Sequence, residues 1–361
     1  MSHDPLINIK GRGALSNGRA RFEEWARESD PEYQNLDENG ALVETKIRTT
    51  IWLQEAKSII SRNTSPDIPF DYSINPFQGC EHGCIYCFAR PTHAYIGLSP
   101  GLDFESKVFA KVNSADLLRK ELSSKSYVPK VIVLGANTDP YQPAEKELRI
   151  TRRILETLEE FNNPVSITTK SGLVVRDSDI LERMAEKGLA RVFVSVTSLR
   201  NEISRTLEPR ASVPKRRLDA VKKLSDIGIP VGVLIAPVIP AITDEELEAI
   251  VAAAANAGAT TAAYILLRLP LEVADLFKEW LSIHYPQRAK HVLSILSQMR
   301  GGNLYDSRFG KRMKGTGVFA DLLRDRFHLA CKKNFLNLER KDLRLDLFSL
   351  PNTGSQQMSL F

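Results

Sequence analysis

The sequence predicts an α/β fold in the form of a partial (β/α)6 barrel, and two observations predict it. From about residue 72, short runs rich in β-branched residues alternate with helical segments, a pattern typical of βαβ units and a parallel sheet. Six such units are present, fewer than the eight of a complete barrel. The chain has 361 residues with 43% hydrophobic content, enough for one large domain with appendages.

The six predicted strands alternate in order with the predicted helices. The strands span residues 72–75, 131–135, 165–169, 191–197, 229–238 and 260–267. Helical stretches are predicted near residues 114–122, 143–161, 177–187, 214–227, 243–257 and 271–282. In barrels of parallel strands the active site lies at the carboxyl ends of the strands. We therefore expect functional residues directly after each strand.

Three cysteines follow the first predicted strand. Cys80, Cys84 and Cys87 lie in Gly79-Cys-Glu-His-Gly-Cys-Ile-Tyr-Cys-Phe-Ala-Arg90. One short loop with this spacing can present three thiolates to three irons of a cubane, and a cluster held by three cysteines instead of four leaves one iron open. A structural zinc site completed by His82, His93 or Cys331 is the alternative, although such sites normally pair two separated ligand couples.

The sequence gives no indication of secretion or membrane insertion. The chain opens MSHDPLINIK without an apolar signal segment, and no stretch approaches the ~18 apolar residues of a membrane span. Clustered free cysteines fit a reducing compartment. We therefore expect a cytoplasmic location and no membrane partner.

The pattern Cys-x3-Cys-x-aromatic-Cys, with Tyr86 as the aromatic residue, resembles the radical S-adenosylmethionine (SAM) superfamily. The resemblance implies a [4Fe–4S] cluster whose open iron chelates SAM, and reductive cleavage that yields a 5′-deoxyadenosyl radical. It also implies a TIM-like partial barrel and a flavodoxin- or ferredoxin-like electron donor. The segments Leu207-Glu-Pro-Arg210 and Ala236-Pro-Val-Ile-Pro240 resemble the DNA repair photolyase-like subgroup related to spore photoproduct lyase.

Polar residues at the other predicted strand ends suit SAM binding. The segment after the second strand stands where the superfamily places a Gly-Gly-Glu-like sequence that binds the SAM amino group. Lys170 can pair with the methionyl carboxylate as a point charge, and Ser195 can donate to the same group. A solvated Lys170 and a simple turn at Asp139-Pro140 are the alternatives. The expected cofactor contacts are Tyr86, Asn137, Thr138, Asp139, Lys170, Ser195 and Arg210.

The segment just past the cysteines carries candidate substrate contacts. Arg90 suits a phosphate, His93 an acceptor atom and Tyr95 a base or ring face. Packing and turn roles are equally open for each of the three residues. The sequence therefore predicts a substrate-facing segment here without naming its ligand.

The hydrogen-atom donor of photoproduct lyases has no counterpart in this chain. Those enzymes carry a cysteine just after the second strand, where this sequence has Ala136-Asn137. The only other thiol is Cys331, which we expect to be a buried helical cysteine. Because of this difference, the sequence does not predict that the protein carries out the lyase reaction, even with a shared scaffold.

Positive charge is concentrated after the barrel. Residues 286–345 contain 14 Lys and Arg against 5 Asp and Glu, whereas the whole chain carries a net charge of +5. Arg308, Lys311 and Arg312 lie in a stretch that interleaves glycines and aromatics with charge, which favours phosphate contacts. A solvated helix face or a pocket for a small anion would look similar. A second basic stretch at residues 10–21 is predicted to be a disordered arm.

The end of the chain resembles a short docking peptide. Gln357-Met-Ser-Leu-Phe361 resembles the peptide by which bacterial repair proteins bind the β sliding clamp. Leu360 and Phe361 would enter a pocket while Gln357 sets the register. Arg344-Leu-Asp-Leu-Phe348 is a near-copy without the glutamine. The alternative is a tail that folds back on the barrel.

Four regions follow from these patterns. We predict a polar and basic N-terminal arm (1–50), the barrel (51–282), a basic accessory segment (283–349) and a flexible tail (350–361). The function predicted is radical SAM chemistry on nucleic acid, either DNA repair or base modification. The alternatives are a clamp-tethered nucleic-acid-binding protein with a structural or redox-sensing Fe–S cluster, and a radical SAM enzyme that modifies tRNA or protein.

Overall fold

The computed structural model describes residues 9–23, 47–339 and 341–351. Its strands are β1 (Thr50–Gln54), β2 (Ile60–Arg62), β3 (Tyr72–Ile74), β4 (Phe77–Gln78), β5 (Lys107–Lys111), β6 (Ile132–Leu134), β7 (Val165–Thr169), β8 (Ala190–Ser195), β9 (Val231–Val238) and β10 (Thr261–Leu266).

The helices connect the strands and extend past the last of them. They are α1 (Leu102–Ser106), α2 (Ser114–Leu122), α3 (Glu145–Leu148), α4 (Ile150–Glu160), α5 (Ser178–Glu186), α6 (Asn201–Leu207), α7 (Pro214–Asp226), α8 (Leu247–Asn256), α9 (Val273–His284), α10 (Ala289–Gln298) and α11 (Val318–Lys333).

The main sheet is the predicted partial barrel. Its strand order is β10-β9-β8-β7-β6-β3-β2, and the six strands from β3 to β10 in this sheet run parallel. The short strand β2 pairs antiparallel with β3 and lies at the edge. Because the six strands are parallel, their carboxyl ends meet at one edge, which holds the candidate site.

Apolar residues explain why these segments form the sheet. The strands β6 to β9 are mostly buried runs of Val, Ile and Leu, as expected for parallel strands covered on both faces. The connecting helices bury one face each: α4 places Ile154, Leu155 and Leu158 in the core, following the spacing of an amphipathic helix. One large apolar cluster therefore fills the space between the sheet and its helices.

The predicted elements agree closely with the structure. All six predicted strands are present, and α2 begins and ends at the predicted residues 114 and 122. Residues 47–111 hold more structure than predicted, including a second sheet of order β1-β5-β4. Strand β1 is exposed along its length although residues 51–53 are apolar, and periodicity does not identify so short an apolar run.

The basic accessory segment packs on the barrel. Helix α10 buries Val292 and Leu296 against residues of α9, and α11 places Phe327 against Tyr264 of β10, with 4.8 Å between ring centroids. Among the described residues, no helix combines the length and apolar character needed to cross a membrane.

Candidate active site

The cysteine loop follows β3 and β4 at the carboxyl edge of the sheet. Cys80 and Cys84 are buried and Cys87 is half-buried. Backbone bonds shape the loop: Gly83 N–H donates to Cys80 O over 3.3 Å and Cys87 N–H to Cys84 O over 3.2 Å. The loop is therefore folded into tight turns that place three thiols on one short segment.

The three thiols fit the donor set of a cubane cluster. Among the described residues, no three His, Cys, Asp or Glu side chains converge closely enough to share one metal ion. The cysteine ligands of a cubane bind separate irons, so they need not converge on one point. Burial raises the pKa of Cys80, Cys84 and Cys87, so iron would displace thiol protons on binding.

Arg90 holds the cysteine loop from inside the protein. Its guanidinium is fully buried and donates to the carbonyl oxygens of Gly83, Cys84, Pro100 and Gly101 and to the carboxylate of Glu105. All of the guanidinium nitrogens of Arg90 therefore donate to groups of the protein itself. The prediction that Arg90 contacts a substrate phosphate is wrong, because burial and these bonds leave it no free face.

The N-terminal segment 9–23 packs against the same loop. Gly13 N–H and Ala14 N–H donate to the Glu105 carboxylate over 2.9 and 2.8 Å, and Arg12 donates to Glu105 O over 2.7 Å. A Cβ on Gly13 would lie 1.9 Å from Gly83 O. The predicted disordered arm is therefore wrong for these residues: backbone amides paired with a buried carboxylate hold them on the domain.

His93 and Tyr95 have different surroundings from each other. His93 is fully buried, with Nε2 3.0 Å from Lys107 O and its ring edge-on to Phe104, and burial lowers its pKa. Its predicted substrate contact is wrong because the ring has no exposed surface. Tyr95 is 70% exposed and lies 5.5 Å, between ring centroids, from Phe22 of the N-terminal segment.

Arg210 contacts the cysteine loop through Glu81. Its Nη2 donates to Glu81 Oε1 over 2.9 Å, and Arg210 N–H donates to His82 O over 3.3 Å. Glu81 in turn accepts from Ala144 N–H over 2.8 Å. The structure thus gives Arg210 a role in positioning the loop, different from the direct cofactor contact predicted.

The three predicted SAM contacts in the segment after β6 differ in whether their side chains already bond to the protein. Thr138 Oγ1 donates to Phe77 O over 2.9 Å. Asp139 accepts from Thr169 Oγ1 and Lys170 N–H, both over 2.7 Å. Burial alone would raise the pKa of Asp139, but His82, 3.3 Å away, and these hydrogen bonds lower it to about 2. Of the three, only Asn137 has a side chain that makes no hydrogen bond to the described residues, so it is the residue best able to bind a ligand.

Lys170 and Ser195 meet at the ends of adjacent strands. Lys170 Nζ donates to Ser195 Oγ over 2.7 Å and lies 3.8 Å from Glu208 Oε1. It also stands over the Tyr86 ring, 5.8 Å from the centroid. This places an ammonium group beside the loop that carries the cysteines.

Glu208 and Arg217 form a buried ion pair behind Lys170. Arg217 also donates to Ser195 O over 3.0 Å, while Tyr86 and Thr197 donate to Glu208 Oε1. Burial would raise the pKa of Glu208, but Arg217 and Lys170 lower it to about 2.

Sequence reasoning missed the roles of Glu208, Arg217 and Glu105. Glu208 lies within the segment Leu207-Glu-Pro-Arg210 singled out by resemblance, and Arg217 follows that segment, but the sequence does not show which arginine pairs with the glutamate. Glu105 lies in the short helix α1, which no pattern predicted.

The basic loop 306–316 lies against the end of β10. Arg300 is buried and donates to Leu266 O, Leu267 O, Lys311 O and Arg312 O over 2.7 to 3.3 Å. Arg308 pairs with Asp306, and Arg312 with Asp67 and Ser65. Lys311 is exposed, and its ammonium group makes no hydrogen bond or close ion pair with the described residues. The loop therefore carries its charge at the carboxyl edge of the sheet.

The remaining predicted residues lie away from this edge or outside the described part of the chain. Gln357, Leu360 and Phe361 fall outside the described residues. In the upstream near-copy, Leu347 and Phe348 pack on the core, so that segment is docked on the domain. Cys331 is buried in α11 within the apolar core, as predicted.

Residues 74–254 match the model of the radical SAM superfamily. This match covers the cysteine loop and the parallel strands that surround Lys170. The chain belongs to the radical SAM superfamily. Its radical SAM domain therefore accounts for the cysteine spacing and the open barrel together.

Two curated relatives of this superfamily member are uncharacterized proteins. One, from Mycobacterium tuberculosis, is 36% identical over 222 residues, which cover 61% of this chain and 65% of the relative. The other, from Methanocaldococcus jannaschii, is 30% identical over 217 residues, which cover 60% of this chain and 77% of the relative. The first match thus spans a little under two thirds of the relative's length.

Solved structures of spore photoproduct lyase share the fold. The complex with dinucleoside spore photoproduct aligns with a TM-score of 0.59 and 17% identity, covering 80% of this chain and 81% of that one. A mutant with bound AdoMet and dinucleoside spore photoproduct aligns with a TM-score of 0.57, with the same identity and coverage. At this identity the likeness shows the fold alone.

Proposed function

We propose that this radical SAM enzyme holds a [4Fe–4S] cluster through Cys80, Cys84 and Cys87 and acts on nucleic acid. The observation that carries the proposal is the shared edge of the sheet. The cysteine loop, the ammonium group of Lys170 and the basic loop 306–316 all lie at the carboxyl ends of the parallel strands. A cofactor and an anionic substrate can therefore meet there.

The residues around the cysteines suit SAM. When bound, the cluster and SAM supply a 5′-deoxyadenosyl radical. Lys170 offers a positive charge to the methionyl carboxylate, and its present acceptors include the neutral Ser195 hydroxyl. Asn137 offers an amide oxygen to the amino group. The Tyr86 hydroxyl donates to Glu208, and the Lys170 ammonium group lies over the Tyr86 ring.

Nucleic acid is favoured as substrate by the placement of positive charge. Lys311 and Lys314 extend from a loop that Arg300 holds against the end of β10. No described carboxylate lies within ion-pair distance of either lysine, although Asp306 lies near enough to Lys311 for the charges of the two side chains to attract each other. The spore photoproduct lyase fold, solved with a dinucleoside photoproduct, is compatible with such a substrate. The chain lacks a thiol at Ala136-Asn137, so the reaction we propose is repair or base modification that does not use that thiol.

The first experiment measures SAM cleavage. Anaerobically reconstituted protein should contain about four irons and four sulfides per chain and, with dithionite, should convert SAM to 5′-deoxyadenosine. The Cys80→Ala/Cys84→Ala/Cys87→Ala variant should hold no cluster and should not cleave SAM. An intact cluster without SAM cleavage would favour the structural or redox-sensing cluster instead.

The second experiment identifies the substrate. Reconstituted protein is incubated with SAM, reductant and either ultraviolet-damaged DNA, undamaged DNA, tRNA or a protein extract, and the products are analysed by mass spectrometry. A changed nucleotide in DNA or RNA supports the proposal. Changes confined to protein would show that the enzyme modifies protein and would overturn the nucleic-acid assignment.

A clamp-binding tail completes the proposal. The docked position of Leu347 and Phe348 leaves the terminal Gln357-Met-Ser-Leu-Phe361 as the candidate peptide. Deletion of residues 357–361 should abolish binding to the bacterial β sliding clamp in a pull-down while iron content and SAM cleavage stay unchanged. Clamp binding that survives the deletion would overturn this part. An electron donor of the flavodoxin or ferredoxin type and a cytoplasmic location belong to the same proposal.

A further inference from the structure

Arg268 is a guanidinium at the mouth of the barrel without an acidic partner. It stands two residues beyond the end of β10, on the edge that carries the cysteine loop. Its Nη1 lies 3.3 Å from Met313 Sδ, a weak acceptor. No carboxylate lies within ion-pair distance of Arg268 among the described residues. Arg90 and Arg217, by contrast, donate to carbonyls and carboxylates of the protein, and Arg300 donates to four main-chain carbonyls.

The surroundings of Arg268 exclude water and offer its guanidinium the weak acceptor Met313 Sδ. Burial is the largest cause that lowers its pKa, while the more distant Tyr305 and Asp67 act in the opposite direction. A partly desolvated cation without a hydrogen-bonded anion is unfavourable, so an anion that enters from solvent would restore the lost interactions. This is the physical reason to look for a ligand here.

Phe88 gives the position of such a ligand relative to the cysteines. It directly follows Cys87, and the Arg268 guanidinium stands over its ring, 4.7 Å from the centroid. The Phe88 side chain still keeps 46% of its surface exposed. A positive charge and an exposed aromatic ring therefore adjoin the last cysteine of the loop.

The basic loop extends the same surface. Met313, which contacts Arg268, lies between Arg312 and Lys314, and Met313 O accepts from Leu266 N–H over 2.9 Å. Arg312 stands over the exposed Phe309 ring, 4.9 Å from the centroid. One arginine–aromatic pair thus lies on the basic loop, which also carries Lys311 and Lys314, and the other contacts that loop through Met313. Grooves that bind single-stranded nucleic acid combine positive charge with aromatic stacking surfaces in this way.

We propose that Arg268 binds the phosphate of an unpaired nucleotide and that Phe88 stacks on its base, so that the nucleotide is held beside Cys87. This inference rests on the proposed function and names the part of the substrate that the site takes: a single-stranded or extruded nucleotide. Arg268 and Phe88 are neither proposed cluster ligands nor among the residues proposed to bind SAM. Variants at these two positions therefore test substrate binding separately from cofactor binding.

The test is binding of a short fluorescein-labelled oligothymidylate to the reconstituted protein, measured by fluorescence anisotropy at several salt concentrations. Arg268→Ala should lower affinity about tenfold and reduce the slope of log affinity against log salt by about 0.7, the value for one phosphate of a single strand. Arg268→Lys should keep the slope but lose affinity severalfold, because an ammonium group lacks the planar fork.

Phe88→Leu separates stacking from charge. Loss of base stacking should lower affinity about tenfold with an unchanged salt slope. The matched control is Arg344→Ala: Arg344 N–H donates to Gly188 O just before β8, which places it at the amino edge of the sheet. This variant should bind within twofold of the wild type.

Each outcome has a distinct meaning. If the wild type binds no oligonucleotide, the proposed nucleic-acid function fails. If the wild type binds but Arg268→Ala binds with the same affinity and slope, only the present inference is overturned. Weaker SAM binding with unchanged oligonucleotide binding would assign Arg268 to the cofactor and would also overturn it. Arg268→Gln decides by the same two readouts if the alanine variant does not fold.

Discussion

Two buried arginine–glutamate pairs flank the cysteine loop, and they differ in what surrounds them. The Arg90–Glu105 pair has no exposed side-chain surface, and its further hydrogen bonds go to the main chain of the loop and of the N-terminal segment. The Arg217–Glu208 pair also donates to the carbonyl oxygens of Ser195 and Ser212, but its carboxylate accepts from Tyr86 and Thr197 and lies beside Lys170. The first pair holds backbone alone, whereas the second also positions side chains around Lys170.

The largest expected effect comes from neutralising the first pair. Glu105→Gln leaves the Arg90 charge buried without a counter-charge, and removing one partner of a buried pair costs about 3–5 kcal/mol of the free energy of unfolding. Because Arg90 bonds to Gly83 O and Cys84 O, iron content should fall as well. Urea unfolding and iron analysis measure the two effects, and a stable variant with full iron content would contradict the role assigned to this pair.

Next in size is a change beside the second pair. Lys170→Met removes the positive charge proposed for the SAM carboxylate and should lower SAM affinity by tenfold or more, since hydrogen bonds to charged groups are worth about 1.5–3 kcal/mol. Iron content should stay unchanged because Lys170 is not a cluster ligand. Calorimetric titration of reconstituted protein gives the affinity. Loss of iron in this variant would contradict the assignment of the second pair to side-chain positioning and of the first pair to holding the cysteine loop.

A smaller effect is expected where the N-terminal segment meets the loop. Gly13→Ala introduces a Cβ that would lie 1.9 Å from Gly83 O, so the segment must shift, at a cost of about 1–3 kcal/mol typical of overpacking. Gly18→Ala is the matched control, because nothing lies within 4 Å of its added Cβ. Chemical denaturation of both variants measures the difference in the free energy of unfolding. Equal values would show that the contact between Gly13 and Gly83 does not contribute to stability.

Ser195→Ala should have the smallest effect. It removes the hydroxyl that accepts from Lys170 Nζ but keeps the ammonium group, so SAM affinity should fall only severalfold, as for a typical hydrogen bond of about 0.5–1.5 kcal/mol. The same titration as for Lys170→Met provides the comparison. An effect larger than that of Lys170→Met would mean that the hydroxyl, not the charge, is the principal contact.

The amino-acid sequence by itself determined the parallel strands and the cysteine loop of this protein. Buried strands such as β6 and β9 are runs rich in Val, Ile and Leu, and the spacing of Cys80, Cys84 and Cys87 is a property of eight consecutive residues. Both signals are local in the chain, so they can be recognised without knowing what packs against them. The meeting of Lys170 and Ser195 also followed, because adjacent parallel strands end at one edge.

Only the tertiary structure decided which charges are structural and which face a ligand. Arg90 looked like a phosphate contact, yet it is buried against Glu105, whereas Arg268, which no motif contains, lies beside Phe88, 180 positions away in the chain. An arginine has the same local signature in both settings. Its partner and its burial depend on contacts between segments distant in sequence, and these contacts exist only once the barrel, the N-terminal segment and the basic loop have packed together.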